Sequence, residues 1–484
     1  MKYLEFLRLD FAKLCGHICI LLAFGFVKNS KSENRKDNMF GLRTMGNTHI
    51  PHCKNTAKTP SVTMPDAKEV LLPLSQHIGA PATPLVNVGD TVTVGQKIAE
   101  ANGYVSSPIY ASVSGKVTKI EDYLRSDGRI VPAIRIVSDG LGTMCEDITP
   151  PTVNDLESLI TAARESGLVG LGGAGFPVSV KLDALKKGGI DKILINAAEC
   201  EPYITCDTHT MLYDSEWIVK GIGLLLKYAD FVGEIIIGIE KNKPECIKKM
   251  KETFSGESRI RIATLPDTYP QGGEKVLIYN TTKRIIPEGK LPADVGVIVI
   301  NVTTLALLAK YVETGEPLVR RRVTVDGSAV ADPKNVIAPI GTSLRELIEF
   351  AGGLKEDAGK VLYGGPMMGI PASNLDDPTL KTTGGITVLN VKDSILPEPT
   401  ACIHCGRCVR GCPLNLSPIT FAKAIANENK DERIAILEES KVMLCMECGC
   451  CSYVCPASRP LVQNNRIGKS EVREHLAHLA KLKK

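Results

Sequence analysis

The sequence predicts a multidomain α/β protein made of four folded parts. Three observations lead to this prediction. Short alternating strands with glycine turns fill residues 70–137, apolar strands alternate with helices after residue 151, and nine of the sixteen cysteines lie between Cys402 and Cys455. The 484 residues are enough for several domains, and 44% hydrophobic content excludes a disordered chain. The net charge of +4 gives no support to binding of nucleic acid.

The first 38 residues do not read as the start of a folded domain. Their apolar run, residues 15–27, has 13 residues, fewer than the roughly 20 that span a bilayer. We expect residues 1–38 to be an extension outside the core, with a signal peptide or an anchor as the alternative.

Residues 39–150 are predicted to form a small β barrel-sandwich domain, because short apolar strands and glycine turns alternate there. The pattern is similar to the half-motifs of biotinyl and lipoyl carrier domains. The segment that would present the modified lysine, residues 99–107, contains no lysine, which disfavours a carrier role.

The middle of the chain is predicted to contain two further parts. In residues 151–320 a helix at 156–164 is followed by apolar strands at 193–195, 235–237 and 295–300, which indicates an α/β domain with a parallel sheet. Residues 321–395 fit a β-grasp-like module, with a tight hairpin at 323–328, a helix at 343–351 and a strand at 360–363. Residues 396–470 form the cysteine-rich domain, and 471–484 a charged C-terminal helix.

The cysteine-rich domain repeats one motif, Cys-x-x-Cys-x-x-Cys-x-x-x-Cys-Pro, with unaltered spacing. Thiolates suit iron and sulfide, and in two-cluster ferredoxins the fourth cysteine of each motif binds the other cluster. The motif therefore predicts a helical ferredoxin-like domain with two [4Fe-4S] clusters. Cluster 1 would be held by Cys402, Cys405, Cys408 and Cys455, and cluster 2 by Cys445, Cys448, Cys451 and Cys412. Zinc is the alternative for two four-cysteine sites, but the trailing Cys-Pro disfavours it.

A glycine-rich segment, residues 167–175, precedes Phe176, Pro177 and Lys181. Glycines let backbone N–H groups approach a phosphate, and a lysine can neutralise it. The segment fits a dinucleotide fingerprint badly, because a helix precedes it and Phe-Pro follows. Strands ending at Asn196 and Asn301 would place further polar groups at the carboxyl edge of a sheet, where α/β proteins bind ligands.

Several of these segments are similar to segments of known protein families. Residues 170–177 with Lys181, residues 196–202 and residues 272–274 resemble the flavin and NADH site of the flavin-bearing subunit of respiratory complex I. With residues 73–81, 269–275 and 364–369 and the twin cysteine motif, the chain resembles the C subunits of Rnf ion-translocating electron transport complexes over residues 39–460.

The resemblance implies that residues 151–320 bind noncovalent FMN, with NAD(H) as substrate. FMN is expected near Gly170, Gly172, Gly173, Lys181, Asn196, Glu199, Asn301 and Thr304. NAD(H) is expected to face Phe176, Glu201 and Glu274. The sequence departs from the complex I pattern at Leu171, Ala198 and Ile300, where that pattern has arginine, aspartate and asparagine.

The same resemblance implies a subunit of a ferredoxin:NAD+ oxidoreductase that passes electrons between NAD(H), FMN and both clusters. Its partners would be the other subunits of a membrane complex and, indirectly, ferredoxin. The chain would contact the cytoplasmic face of the cell inner membrane peripherally. The alternatives are a cobalamin reductase of propanediol-utilisation microcompartments, which shares the flavin domain and both clusters, and a non-catalytic iron-sulfur electron-wire subunit.

Overall fold

The structure, a computed structural model, describes residues 46–229 and 233–482. They lie within one compact unit, residues 45–484. The extension predicted at residues 1–38 lies outside the described residues. Within them, no helix combines the length and the apolar character that crossing a membrane requires.

The N-terminal part is built from short strands in two antiparallel sheets, ordered β2-β8-β7-β4 and β3-β5-β6. Leu72, Ile98 and Ile134 are fully buried in its core, as expected where alternate residues of a strand face inward. The strands are β1 (Val62–Thr63), β2 (Glu69–Pro73), β3 (Thr83–Pro84), β4 (Thr91–Val92), β5 (Lys97–Glu100), β6 (Ile109–Tyr110), β7 (Gly115–Leu124) and β8 (Ile130–Ser138). Strand β1 pairs with a later sheet.

The second part is an α/β layer with a four-stranded parallel sheet in the order β11-β10-β9-β12. Three of its strands are mostly apolar runs because helices cover the sheet, whereas the edge strand at residues 260–265 contains Arg261 and Thr264. Asp155 begins the first helix as a capping box with Ser158. The elements are α1 (Leu156–Glu165), α2 (Val178–Asp183), β9 (Lys192–Asn196), α3 (Cys206–Tyr213), α4 (Ser215–Tyr228), β10 (Glu234–Glu240), α5 (Pro244–Thr253), β11 (Ile260–Leu265), α6 (Glu274–Thr282), β12 (Val297–Asn301) and α7 (Val302–Thr314).

The third part is a six-stranded mixed sheet in the order β1-β14-β13-β17-β15-β16. Its elements are β13 (Arg320–Asp326), β14 (Lys334–Pro339), α8 (Leu344–Phe350), β15 (Ala358–Tyr363), β16 (Ile370–Pro371), β17 (Gly385–Asn390) and α9 (Val391–Ser394). The tight hairpin predicted at 323–328 is wrong. Strands β13 and β14 are antiparallel, but residues 327–333 separate them, and Gly327 packs against the backbone of Val388.

The C-terminal part is helical and carries both cysteine motifs. Its helices are α10 (Arg407–Arg410), α11 (Pro418–Ile425), α12 (Lys430–Glu439), α13 (Cys450–Tyr453) and α14 (Leu461–Leu482). Helix α14 begins at Leu461 rather than at residue 471 as predicted. Pro460 precedes its first residue, and the first half of the helix is buried at Asn465 and Lys469.

Candidate functional site

The strand order of the parallel sheet reverses between β9 and β12. The chain runs from β9 through β10 to β11, and β12 then returns to the other side of β9. Asn196 ends β9, Asn301 ends β12, and the two residues are paired across the strands. The carboxyl edge at such a switch point is where open α/β sheets bind ligands. Both predicted amides therefore lie side by side at the expected place.

The glycine-rich loop closes over this edge. The Gly170 N–H donates to the Phe176 carbonyl oxygen at 2.8 Å, so residues 170–176 form one loop. A Cβ at Gly172 would lie 2.8 Å from Asn301 Nδ2, whereas one at Gly173 would meet no atom of the described residues within 4 Å. The loop thus needs glycine at 172 for its own packing and leaves an open surface at 173. This is a cradle that fits a phosphate-bearing ligand.

Lys181, on α2, is half-buried at the rim of this site. Its Nζ donates to the Val299 carbonyl oxygen at 2.8 Å and lies 4.0 Å from Glu274 Oε2. Burial lowers the pKa of Lys181, and the Glu274 carboxylate opposes that change. Because a bound phosphate would add a second counter-charge to that of Glu274, the position fits its predicted role.

Asn301 and Thr304 are locked together at the start of α7. Asn301 Oδ1 accepts from the Thr304 N–H at 3.0 Å, and its Nδ2 donates to Asp207 Oδ2 at 2.8 Å. The Leu171 N–H donates to Thr304 Oγ1 at 3.1 Å. The helix cap therefore also fixes the glycine-rich loop.

Asp207 is buried behind Asn301 and accepts a second bond from Thr303 Oγ1 at 2.6 Å. Burial and the nearby Glu199 carboxylate raise the pKa of Asp207 to about 6. Its fixed acceptor orients the Asn301 amide.

The Glu199 side chain serves as a helix cap. Its Oε1 accepts from the Asp207 N–H at 2.6 Å, and its Oε2 accepts from the Thr208 N–H at 3.1 Å, both at the start of α3. The residue has a left-handed backbone, with φ of 50°. Both carboxylate oxygens accept hydrogen bonds, so the Glu199 side chain is fixed at the start of α3.

The three residues expected to face NAD(H) have different surroundings. Glu201 accepts from the backbone N–H groups of Met367 at 3.2 Å and Met368 at 2.8 Å, and burial raises its pKa. Phe176 is half-buried, and Glu274 is exposed at the start of α6. The carboxylate of Glu201 is therefore directed at residues 364–369, unlike the exposed carboxylate of Glu274.

The two cysteine motifs have matching local geometry. His404 and Glu447, at equivalent positions, have φ of 53° and 59°, and each donates its N–H to the preceding cysteine Sγ at 3.4 Å. Gly406 and Gly449, also equivalent, have φ of 69° and 80°. Such turns aim backbone N–H groups at cysteine sulfurs, as iron-sulfur clusters require.

The fold brings the motifs together in a crossed arrangement. A cavity is lined by the four cysteines predicted for cluster 2: Cys412, Cys445, Cys448 and Cys451. On the cluster 1 side, Cys408 and Cys455 pack against the same apolar group. The Thr400 N–H donates to the Ala457 carbonyl oxygen at 3.0 Å, which brings the start of the first motif to the end of the second. Grouped thiols of this kind fit the predicted ligand scheme.

Comparison with known proteins agrees with this architecture. Four family models match: the RnfC barrel sandwich hybrid domain over residues 42–141, the Nuo51 FMN-binding domain over 163–310, the SLBB domain over 322–371 and the 4Fe-4S dicluster domain over 398–459. The C subunit of the proton-translocating ferredoxin:NAD(+) oxidoreductase complex of Clostridium ljungdahlii is 42% identical over 387 residues, which cover 78% of this chain and 84% of that protein. The chain belongs to the family of these C subunits.

Two further C subunits are similar over most of their lengths. That of the Na(+)-translocating ferredoxin:NAD(+) oxidoreductase complex of Acetobacterium woodii is 41% identical, with 88% of this chain and 96% of that protein covered. That of the ion-translocating oxidoreductase complex of Rhodobacter capsulatus is 38% identical, with 76% and 72% covered. The predicted resemblance, the fold class, the FMN and the iron-sulfur clusters are confirmed, and these relatives favour the main prediction over a cobalamin reductase.

The departures from the complex I pattern are buried apolar residues. Leu171, Ala198 and Ile300 are at most 2% exposed, and all three pack into the core of the α/β layer. Their side chains supply no hydrogen bonds. At Leu171 the backbone makes a hydrogen bond instead, since its carbonyl oxygen accepts from Arg321 Nη2 at 2.8 Å.

Lys54 was not predicted from the sequence to belong to the site. Its Nζ donates to the carbonyl oxygens of Glu199, Glu201 and Ile204 at 2.8, 2.7 and 2.6 Å. Burial, aided by the charge of Lys243, lowers its pKa. This lysine holds the loop that follows β9. No motif marks it, because it bonds to backbone groups far along the chain.

Lys381 is a second missed residue. It is 1% exposed, and its Nζ donates to the carbonyl oxygens of Pro108 at 2.6 Å and Gly167 at 2.7 Å. Its own carbonyl oxygen accepts from Arg321. Lys381 therefore joins the barrel-sandwich part, the start of the glycine-rich segment and the mixed sheet.

The cluster 2 cysteines lie beside the predicted flavin site. Tyr269, Cys448 and Cys450 share one apolar group, against which Cys200 packs. A Cβ at Gly273 would lie 2.1 Å from Met446 Cε. Gly273, which the resemblance assigned to the flavin site, thus touches the second cysteine motif directly.

Proposed function

We propose that the chain passes electrons between NAD(H) and the other subunits of a ferredoxin:NAD+ oxidoreductase complex, peripherally at the cytoplasmic face of the inner membrane. The packing of Met446 against Gly273 carries this proposal, because it joins the nucleotide edge of the sheet to the cluster 2 cysteines. Bound FMN would supply the conversion between two-electron exchange with nicotinamide and one-electron exchange with iron-sulfur clusters. The names of the related C subunits support the same role.

The FMN phosphate is proposed to bind the backbone of Gly170, Gly172 and Gly173, with Lys181 as counter-charge. The Gly172 contact with Asn301 and the rim position of Lys181 support this assignment. Asn196, Asn301 and Thr304 hold the sheet edge in shape. Glu199 acts as a positioning residue, because its carboxylate caps α3 and its carbonyl oxygen accepts from Lys54 Nζ.

NAD(H) is proposed to enter past Phe176 and Glu274. Glu274 is exposed and lies 4.0 Å from Lys181 Nζ, so its carboxylate can also accept hydrogen bonds from ribose hydroxyls. Glu201 acts instead as a positioning residue, since its carboxylate holds the backbone of Met367 and Met368.

Cluster 1 is proposed to face the redox partner. Cys402, Cys405, Cys408 and Cys455 are all partly exposed, whereas three of the four cluster 2 cysteines are buried. Electron transfer favours short separations, so another subunit would dock near the exposed cluster. Ferredoxin would then supply electrons indirectly, through other subunits.

The test is the NADH-dependent reduction of ferricyanide by the anaerobically purified chain, with FMN and iron measured on the same sample. We expect FMN to copurify and the activity to saturate with NADH. Glu274→Gln should raise the KM for NADH several-fold with FMN retained, whereas the exposed Glu257→Gln is the control. A chain that holds iron, fails to bind added FMN and does not oxidise NADH would instead be an electron wire.

A further inference from the structure

We propose that the side-chain amide of Asn465 raises the reduction potential of cluster 2. Asn465 lies in the first half of α14, which covers the second cysteine motif. The proposal rests on the assignment of Cys412, Cys445, Cys448 and Cys451 to one cluster.

The amide of Asn465 is aimed at two cysteine sulfurs. Its Nδ2 lies 3.4 Å from Cys445 Sγ and 3.9 Å from Cys451 Sγ, both within the range of N–H···S hydrogen bonds. The residue is 1% exposed. The opposite orientation would put the carbonyl oxygen against thiolate sulfurs, and both groups are acceptors.

The other end of the same amide has no partner. Asn465 Oδ1 is buried and makes no hydrogen bond within residues 46–229 and 233–482. A buried, unpaired acceptor destabilises a fold, so an apolar side chain of similar size would be more favourable there if packing were the only requirement. The contacts with the two sulfurs explain why a polar side chain occupies this position.

Burial explains why cluster 2 needs such a donor. Reduction adds a negative charge to a cluster, which a buried site opposes more than an exposed one, and hydrogen bonds to sulfur counteract this effect. Both motifs supply backbone donors at His404 and Glu447. Asn465 adds a side-chain donor to cluster 2, whose cysteines are the more buried.

Two basic side chains of the same helix pair with Glu447 of the second cysteine motif. Lys469 Nζ donates to the Cys445 carbonyl oxygen at 2.7 Å and to Glu447 Oε1 at 2.6 Å, and Arg466 Nε donates to Glu447 Oε2 at 3.2 Å. These groups partly neutralise one another. Asn465, in contrast, directs its side-chain N–H groups at the sulfurs. Substitution of Asn465 therefore separates its effect on the reduction potential from that of the two basic residues.

The experiment is a redox titration of the full chain followed by electron paramagnetic resonance, with dithionite as the reductant. In Asn465→Leu one of the two reduction waves should move to lower potential, and the other should stay. The ratio of reduced to oxidised cluster at the wild-type midpoint should fall about tenfold, the effect of one hydrogen bond to a charged group. Gln463→Leu, exposed on the same helix, should titrate like the wild type.

Asn465→Asp is the second variant, because it keeps the size of the side chain and replaces the donor with an acceptor. It should move the same wave in the same direction and further. Unchanged waves at full iron content, an equal shift of both waves, or loss of half the iron in both Asn465 variants would each overturn the proposal. The iron content of the paired cysteine variants described below tests the ligand assignment separately.

Discussion

Asn301 shows how single residues shape the nucleotide edge. Its side-chain oxygen Oδ1 caps α7, and its side-chain Nδ2 donates to Asp207. Gly172 packs against the same side chain. A change at any of these contacts should therefore alter the glycine-rich loop as well as its own position.

Gly172→Ala should destabilise the FMN-free protein by about 1–3 kcal/mol, because its Cβ would overlap Asn301 Nδ2. Gly173→Ala, where a Cβ meets no atom in the described part of the chain, should leave that stability unchanged. Both should weaken FMN binding at least tenfold if the loop backbone holds the phosphate. Chemical unfolding and fluorescence titration with FMN measure the two effects, and Gly223→Ala in α4 is the control. Wild-type FMN affinity in both variants would exclude the loop from the site.

Asp207 should make stability depend on pH. Its pKa is raised from 3.8 to about 6, so the folded state keeps a proton that the unfolded state has already released. The free energy of unfolding should therefore fall as pH rises towards 6 and become constant above about pH 7. The difference between the wild type and Asp207→Asn, measured by urea unfolding from pH 5 to 8, should decrease and then level off. A difference that increases with pH would contradict the buried position, and Asp122→Asn, exposed on β7, is the control.

At the scale of elements, the segment before β1 joins parts that are distant in sequence. Thr48 pairs with Tyr269, and Gly46 packs against the carbonyl oxygen of Cys412. Lys54 in the same segment holds the loop after β9. The segment thus contacts both the loop at the nucleotide edge and Cys412, a predicted ligand of cluster 2.

Lys54→Met should lower the free energy of unfolding by about 1–3 kcal/mol, because it leaves buried carbonyl oxygens without their donor. It should also reduce FMN retention, since Glu199 belongs to the released loop. Lys58→Met removes only an exposed ion pair with Glu245 and should change stability by less than about 0.5 kcal/mol. Equal stability of the two variants would show that the Lys54 contacts are not stabilising.

The crossed cluster scheme predicts a non-additive loss of iron. Cys412→Ala and Cys448→Ala should each leave about four of the roughly eight irons per chain, and the double variant should still leave about four. Cys412→Ala combined with Cys408→Ala should leave almost none. Iron analysis after anaerobic purification decides between them, and Cys145→Ala is the control. If the Cys412–Cys448 pair loses all iron while the Cys412–Cys408 pair keeps half, each motif binds its own cluster.

The elements that sequence analysis predicted best have strong local signals. Strands β9, β10 and β12 are mostly apolar runs, and the cysteine spacing defines its own loops. The start of α14 was missed. Gly468 lies inside this helix, against Leu437, where a Cβ would come within 2.9 Å of Leu437 Cδ2. A glycine in a helical pattern weakens the prediction, and here tertiary packing requires it.

At the scale of the whole molecule, the order of the parts could be predicted from the sequence and their contacts could not. Lys54, Arg321 and Lys381 bind backbone carbonyl oxygens of distant segments, which carry no side-chain signature. The hydrogen bonds of the Glu199 and Glu201 carboxylates could not be predicted from the sequence either. Whether such a carboxylate faces a ligand or caps a helix depends on which N–H groups the fold brings to it.

The central claim is that NAD(H) exchanges electrons with both clusters only through a flavin held at the sheet edge. We would titrate the anaerobic chain with NADH and record absorbance and electron paramagnetic resonance spectra, for the wild type and for Lys181→Met, with the exposed Lys187→Met as control. We expect flavin bleaching and cluster reduction in the wild type, and clusters that only dithionite reduces in Lys181→Met depleted of FMN. Equal cluster reduction by NADH with and without flavin would contradict this claim.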